Sequence, residues 1–325
     1  MRSVVYDTFG DPATVLHLGE RPVPEPGPGE IRVKMTLSPI HNHDLATIRG
    51  IYGVKPPLPA IGGTEAAGIV DAQGEGVTAP AVGQRVTMAG ITNAWAEYFV
   101  AQARRAVPLP DSVSDDVGCQ LSAMPLSALM ALEDLGVKPG EWMVQNAATG
   151  AVGKTLAMLA RARGIHVVNL VRRDAGIAEL AALGVAPAVS TAEVKWASKV
   201  KEATGGAPIV AALDSVGGEE SGQLLSLLGE GGLLMTFGAL GDKPMILNPG
   251  DLIFKQATVK GFWASKRSTS TSPADMVRMI GDLIRLATSG ELKLTVETAF
   301  SMDEAPAAAR TSILPGRTGK VAFRG

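Results

Sequence analysis

One cysteine, Cys119, occurs in 325 residues. A single thiol excludes an intrachain disulfide framework and any cysteine-rich metal site, and it suits a reducing compartment. Charge of one sign is lacking as well: 30 Lys and Arg stand against 32 Asp and Glu, a net charge of −2. Without a block of like charges there is no electrostatic reason to expect nucleic acid or an anionic membrane as partner. The apolar runs stop short of the ~20 residues that span a bilayer. Met1 to Asp7 carries no basic segment followed by an apolar one, so no signal peptide is read there and the expected location is cytoplasmic. Aromatics make up 4% of a sequence that is 46% hydrophobic. That balance suits an α/β core built from Ala, Val and Leu, and the length allows two domains.

What is present is organised around Gln145-Asn146-Ala147-Ala148-Thr149-Gly150-Ala151-Val152-Gly153-Lys154. Glu141 to Val144 reads as a strand before it, and Thr155 to Ala162 as a helix after it, free of Gly and Pro. Ala148-Thr149-Gly150-Ala151-Val152-Gly153 fits G-x-G-x-x-G with Ala for the first Gly. Small residues let the backbone approach a pyrophosphate, and the helix start offers it unpaired N–H groups and a positive dipole end. Such a turn alone is a weak signal, and a plain strand–helix turn is the alternative. Lys154 is not a Walker lysine, because no earlier Gly stands where that motif needs one. Past Gly164, Ile165 to Val171 has the continuous apolar pattern of a buried parallel strand. It ends in Arg172-Arg173, about 20 residues beyond the turn, where an acid would hold the ribose hydroxyl of NAD or an Arg the 2′-phosphate of NADP. Two arginines with no acid before Asp174 point to NADPH as cofactor; a solvated basic pair is the alternative.

Residues 1 to 110 are rich in Pro and Gly. Short strands at 31–35, 67–72, 83–88 and 96–100 suggest a compact β-rich module, a partly closed barrel. From Gly140 to Trp263 strands and helices alternate, with strands at 209–214, 232–237 and 257–263. Alternation of this kind means a parallel sheet with helices on its faces. Ser112 or Ser114 is placed to cap a helix, 122–135 reads as an apolar helix, 266–272 as a Ser/Thr loop and 273–289 as a helix.

Leu58-Pro59-Ala60-Ile61-Gly62-Gly63-Thr64-Glu65-Ala66-Ala67-Gly68 resembles the P-x-x-x-G-x-E-x-x-G signature of the medium-chain dehydrogenase/reductase superfamily. Val82 to Val86, Trp95 to Tyr98 and Gly319-Lys320-Val321 resemble its other landmarks. The resemblance runs over nearly the whole chain. It implies an α/β protein in which a Rossmann domain, a doubly wound parallel sheet, is inserted in a GroES-like β-rich catalytic domain. The expected division is 1–122 and 265–325 for the catalytic domain and 123–264 for the Rossmann domain. Within the superfamily, Gly50-Ile51-Tyr52-Gly53, Gln145-Asn146-Ala147, Leu252-Ile253-Phe254-Lys255 and Gly261-Phe262-Trp263 are similar to the 2-enoyl thioester reductases, the mitochondrial enoyl-CoA/enoyl-ACP type. His41-Asn42-His43-Asp44 stands where that family reads N-P-S-D.

The resemblance implies an NADPH site made by Asn146, Ala148, Thr149, Gly150, Ala151, Val152, Gly153, Arg172 and Arg173, with Phe237, Phe262, Trp263 and Lys320. It also implies a homodimer in which strand 257–263 pairs edge to edge. His41, His43, Trp95 and Met124 are candidates for the substrate pocket. The zinc alcohol dehydrogenases of the superfamily have Cys at the position of His41, His at that of Thr64 and a further Cys near Met124. Here only His41 and Glu65 could ligate, fewer than the three protein ligands zinc needs, so no metal is expected. The implied reaction is hydride addition to the activated C=C bond of an acyl thioester, with Tyr52 as proton donor to Cα. A phenol keeps its proton at neutral pH. His43 is the rival donor, and Lys266 and Arg267 are candidates for the phosphates of CoA. A quinone oxidoreductase using NADPH, and a non-catalytic NADPH-binding protein, are the alternative functions.

Overall fold

The computed structural model describes all residues from Met1 to Gly325. The chain forms two units, one from Met1–Ala123 with Asp282–Gly325, the other from Met124–Gly281. The second is an insertion in the first. Its exit falls at Gly281/Asp282 rather than after residue 264. The physical reason is local: beyond the last strand of the insert, Arg267 Nε donates to Asp134 Oδ1 at 2.9 Å and Arg278 bonds Glu133 at 3.0 Å. Both pairs tie this segment to the helix at Met124–Leu135. The stretch read as a Ser/Thr loop is helical over Ala264–Thr269. Its hydroxyls bond back to the helix backbone, Ser268 to Ser265 and Thr269 to Lys266.

In the inserted unit, six strands make one parallel sheet: β1 (Trp142–Gln145), β2 (His166–Val171), β3 (Ala188–Ser190), β4 (Ile209–Asp214), β5 (Leu228–Thr236) and β6 (Thr258–Gly261). Their order is β3-β2-β1-β4-β5-β6, the doubly wound dinucleotide-binding order. Five of the six residues of β2 are buried, in keeping with its largely apolar run, and buried Asn169 bonds Gln145 and the backbone. Val144, Val168, Ala212 and Leu234 carry the core from strand to strand. Helix α1 (Met124–Leu135) packs against helix α2 (Ala151–Ala162) through small and apolar residues such as Ala128, Leu129 and Leu159. Strand β6 is the sheet edge, and Phe262 and Trp263, expected within it, lie just beyond.

In the other unit, Arg2–Tyr6 pairs with His17–Glu20 and Ala60–Ile61. A larger sheet is centred on Glu30–Pro39, which pairs antiparallel with Glu65–Gln73, Tyr98–Gln102 and the C-terminal Lys320–Arg324. That last pairing brings Lys320 back beside residues 39–41. The core holds Tyr6, Trp95, Phe99 and Phe323. No helix of the chain is long and apolar enough to cross a membrane.

Candidate active site

The glycine-poor turn works because its one left-handed residue is not where the motif puts a glycine. Ala147 has φ 47°, and Ala148 lies outside the left-handed region, so an alanine side chain is tolerated there. Ala148 is buried, and its N–H donates to Leu170 O at 3.3 Å. Gly150 precedes the first residue of α2 in extended geometry and is exposed. Thr149, Ala151 and Val152 are half-buried around it. A Cβ on Gly153 would stand 2.7 Å from Ala148 Cα and 2.8 Å from the carbonyl oxygens of Ala147 and Ala148. Only glycine lets the helix lie this close to the turn, which leaves the first-turn N–H groups of α2 aimed at an anion. The cradle fits a pyrophosphate.

Asn146 takes a different part from the expected cofactor contact. It is buried; its Nδ2 donates to Asp214 Oδ1 at 2.7 Å and its Oδ1 accepts from Ser215 N at 2.7 Å. It therefore joins the carboxyl ends of β1 and β4, the point where strand order reverses and ligands bind in such sheets. Arg172 and Arg173 are exposed at the end of β2. Arg173 pairs with Glu179 at 3.5 Å, and Arg172 has no partner in the chain, so the Arg172 guanidinium is open to a phosphate. Phe237 and Phe262 stack at 5.5 Å between centroids, both half-buried, and Trp263 is 53% exposed. Arg267 is not open to a CoA phosphate, because Asp134 and Thr271 hold it. Met124 is half-buried at the start of α1.

The catalytic unit gathers a second cluster. Helix Asn42–Ile48 begins with Asp44 Oδ2 accepting from His41 N at 2.9 Å. The rings of His41 and His43 stack at 5.1 Å and 13°, and His43 meets Tyr52 at 5.9 Å and 35°. Tyr52 is half-buried in a loop anchored by Ile51 N and Tyr52 N on Ala46 O. Its hydroxyl bonds nothing else in the chain.

Two candidates for the substrate pocket are closed off. Trp95 is fully buried: its indole N–H donates to Pro39 O at 3.3 Å and its ring meets Phe323 edge-on at 5.0 Å. Gly62 and Gly63 of the signature are glycines because a Cβ on either would run into that indole. His41 is also fully buried, with both ring nitrogens engaged. Lys320 Nζ donates to His41 Nδ1 at 3.0 Å, so the imidazole carries its proton on Nε2, 2.8 Å from Glu65 Oε2. Lys320, expected at the cofactor, instead serves His41 and Ile40 O.

Glu65 Oε1 accepts from Ser122 N, Ser122 Oγ and Ala123 N at 2.8, 3.0 and 2.6 Å. Burial raises its pKa to about 8, against the pull of those donors and of Lys320. Burial likewise lowers Lys320 to about 8. His41 is held well below 6.5 by burial and by the Lys320 charge, and stays neutral.

These positions do not suit zinc. Lys320 Nζ occupies one nitrogen of His41 and a Glu65 oxygen the other, and no three His, Cys, Asp or Glu residues are grouped to hold an ion. Cys119 is buried and its thiol is pushed well above 9, chiefly by burial and then by Glu65. Thr64 and Asp44 were invisible as site residues in the sequence. Thr64 lies 21 positions from the histidine it bonds, and only the spacing of His43 and Asp44 hinted at a polar cluster.

A parallel sheet in this order, with a glycine-closed turn at the head of α2, inserted in a β-rich unit, defines a two-domain dinucleotide-dependent dehydrogenase or reductase. The description "Alcohol dehydrogenase GroES-like domain" matches residues 27–111, and "Zinc-binding dehydrogenase" matches residues 151–281. The chain is 33% identical over 303 residues to the mitochondrial enoyl-[acyl-carrier-protein] reductase of Arabidopsis thaliana, covering 91% of this chain and 80% of the relative. The corresponding protein of Bos taurus is 31% identical over 313 residues, 94% of this chain and 82% of the relative. Among solved structures, the Escherichia coli quinone oxidoreductase complexed with NADPH is similar, with TM-score 0.91, 25% identity and full coverage of both chains. The chain belongs to the medium-chain dehydrogenase/reductase superfamily.

Proposed function

We propose that the protein reduces the activated C=C bond of a 2-enoyl thioester, enoyl-CoA or enoyl-ACP, with NADPH and without zinc. NADPH supplies a hydride for Cβ of the substrate. The turn at Ala148–Gly153 and the N-terminus of α2 hold its pyrophosphate, and Arg172 and Arg173 hold its 2′-phosphate. Tyr52 gives the proton to Cα. The observation that carries this reading is Tyr52 itself: a half-buried phenol with no partner for its hydroxyl, in a chain at least 31% identical to two enoyl-ACP reductases.

The test is NADPH oxidation with crotonyl-CoA. Wild type turns it over. Tyr52→Phe lowers kcat and kcat/KM together by ~10²–10⁴, the usual worth of general acid catalysis, with NADPH affinity unchanged. Full activity in Tyr52→Phe overturns the assignment of the donor, and no turnover of any enoyl thioester overturns the function. The likeness in fold to a quinone oxidoreductase over the full chain supports a second reading, NADPH-dependent quinone reduction. Turnover of a quinone without turnover of an enoyl thioester selects it. NADPH binding without turnover of either substrate selects a non-catalytic role.

A further inference from the structure

His43 lies in the stretch where the enoyl reductases read N-P-S-D, and the structure holds its ring by a chain of hydrogen bonds. Asp44 is buried, and its Oδ2 accepts from His41 N at 2.9 Å. Thr64 Oγ lies 2.7 Å from Asp44 Oδ1 and donates to it. The Thr64 oxygen then has lone pairs left for His43 Nε2, 2.7 Å away, which must carry the proton. Nδ1 has no partner in the chain, and the side chain is 25% exposed. The same logic orients the histidine of a hydrolase triad: a carboxylate behind one nitrogen fixes the tautomer and frees the other nitrogen for proton traffic. Here a threonine is interposed.

His43 faces His41, Asp44, Thr64 and Tyr52. Its ring stacks on His41, which stays neutral, so a second positive charge does not face it directly. Asp44 lies 3.5 Å from Nε2 and offsets a positive ring. Lys320 bonds the ring of His41, and the Tyr52 ring lies 5.9 Å from that of His43.

We propose that His43 is a positioning residue that restores the proton of Tyr52 through Nδ1, with Asp44 and Thr64 locking the tautomer. The inference rests on the enoyl reductase reading. After hydride adds at Cβ, the enolate Cα takes the Tyr52 proton and the C–H bond forms. The phenolate then takes a proton from Nδ1 of the imidazolium, directly or across one water. Neutral His43 recovers that proton from solvent, to which it is partly open. One hydride and one solvent proton are added per turnover, and Nε2–H stays on Thr64 throughout.

The test combines tautomer and kinetics. In ¹⁵N-histidine NMR spectra of the wild type, neutral His43 carries its proton on Nε2. Thr64→Val loses that preference. His43→Ala lowers kcat on crotonyl-CoA about tenfold or more, with KM within about twofold and NADPH affinity retained. Added 4-methylimidazole restores its rate in a concentration-dependent way, while wild type does not respond; a residue of purely structural role would show no such rescue. Thr64→Val lowers kcat several-fold and guards against misfolding of the alanine variant. A proton on Nδ1 in the wild type, full kcat in His43→Ala, or no rescue overturns the relay alone. A wild type that reduces no enoyl thioester overturns the functional reading and the relay with it.

Discussion

His41 Nε2 lies 2.8 Å from Glu65 Oε2, and both side chains are fully buried. The other ring nitrogen meets Lys320 Nζ at 3.0 Å. A neutral imidazole thus bridges a lysine and a glutamate removed from water. Burying polar groups is costly unless they are hydrogen-bonded, and the bridge supplies those bonds. Because Glu65 also accepts from Ser122 and Ala123, the last residues before the inserted domain, this polar core anchors the segment where the chain leaves the catalytic unit.

Lys320→Met removes the donor to His41 Nδ1 and leaves that buried nitrogen without a partner. Leaving a buried acceptor unsatisfied costs about 1–3 kcal/mol. The expected outcome is a lower midpoint of guanidinium unfolding with an unchanged slope. A double-mutant cycle with Glu65→Gln reads how much of the loss passes through the His41 bridge.

Stability responds to pH through the same residues. Glu65 keeps its proton in the folded chain up to about 8, but releases it near 4.5 when unfolded. Between those values the folded state binds more protons, so this stabilisation is complete below 4.5 and is lost as pH rises to about 8. Glu65→Gln has no such proton to lose. The stability of wild type relative to Glu65→Gln should therefore be greater at pH ~5 than at pH ~8, as measured by denaturant unfolding of both proteins at each pH.

Arg172 and Arg173 should set cofactor choice. Replacing both by Ala is expected to weaken NADPH binding by tenfold or more, about 1.4 kcal/mol, while NADH changes little. Only NADPH carries the 2′-phosphate that these side chains would meet. Fluorescence titration of both nucleotides checks this, and equal affinities in wild type would overturn it.

All four residues of β6 are exposed at an unpaired sheet edge, with Phe254 85% and Trp263 53% exposed beside it. Such an edge invites pairing with a second copy. A homodimer is expected in light scattering at micromolar concentration. Val259→Glu and Phe254→Glu should shift it toward monomer without lowering the helical signal.

Much of the inserted domain was legible because its signals are local. A largely apolar run from Ile165 to Val171 makes a buried strand wherever it folds, and a glycine at 153 is demanded because the first turn of its helix lies against Ala147 and Ala148. Arg172 and Arg173 stand at a strand end for the same local reason. The catalytic cluster is different. Trp95 read as a pocket residue because aromaticity does not say which way a ring points; its packing against Gly62, Gly63 and Phe323 is set by strands far apart in sequence. His41, Glu65 and Lys320 meet only because the C-terminal strand pairs with Glu30–Pro39, bringing together residues as far apart as 41 and 320. The sequence by itself determined the Rossmann order of strands and helices and the dinucleotide turn, since periodicity and short-range geometry govern both. Which nitrogen of His43 is free, and which of the two histidines is wholly buried, only the tertiary structure decided. Burial and hydrogen-bond partners are properties of the assembled fold and leave no mark on the residue's own neighbours in the chain.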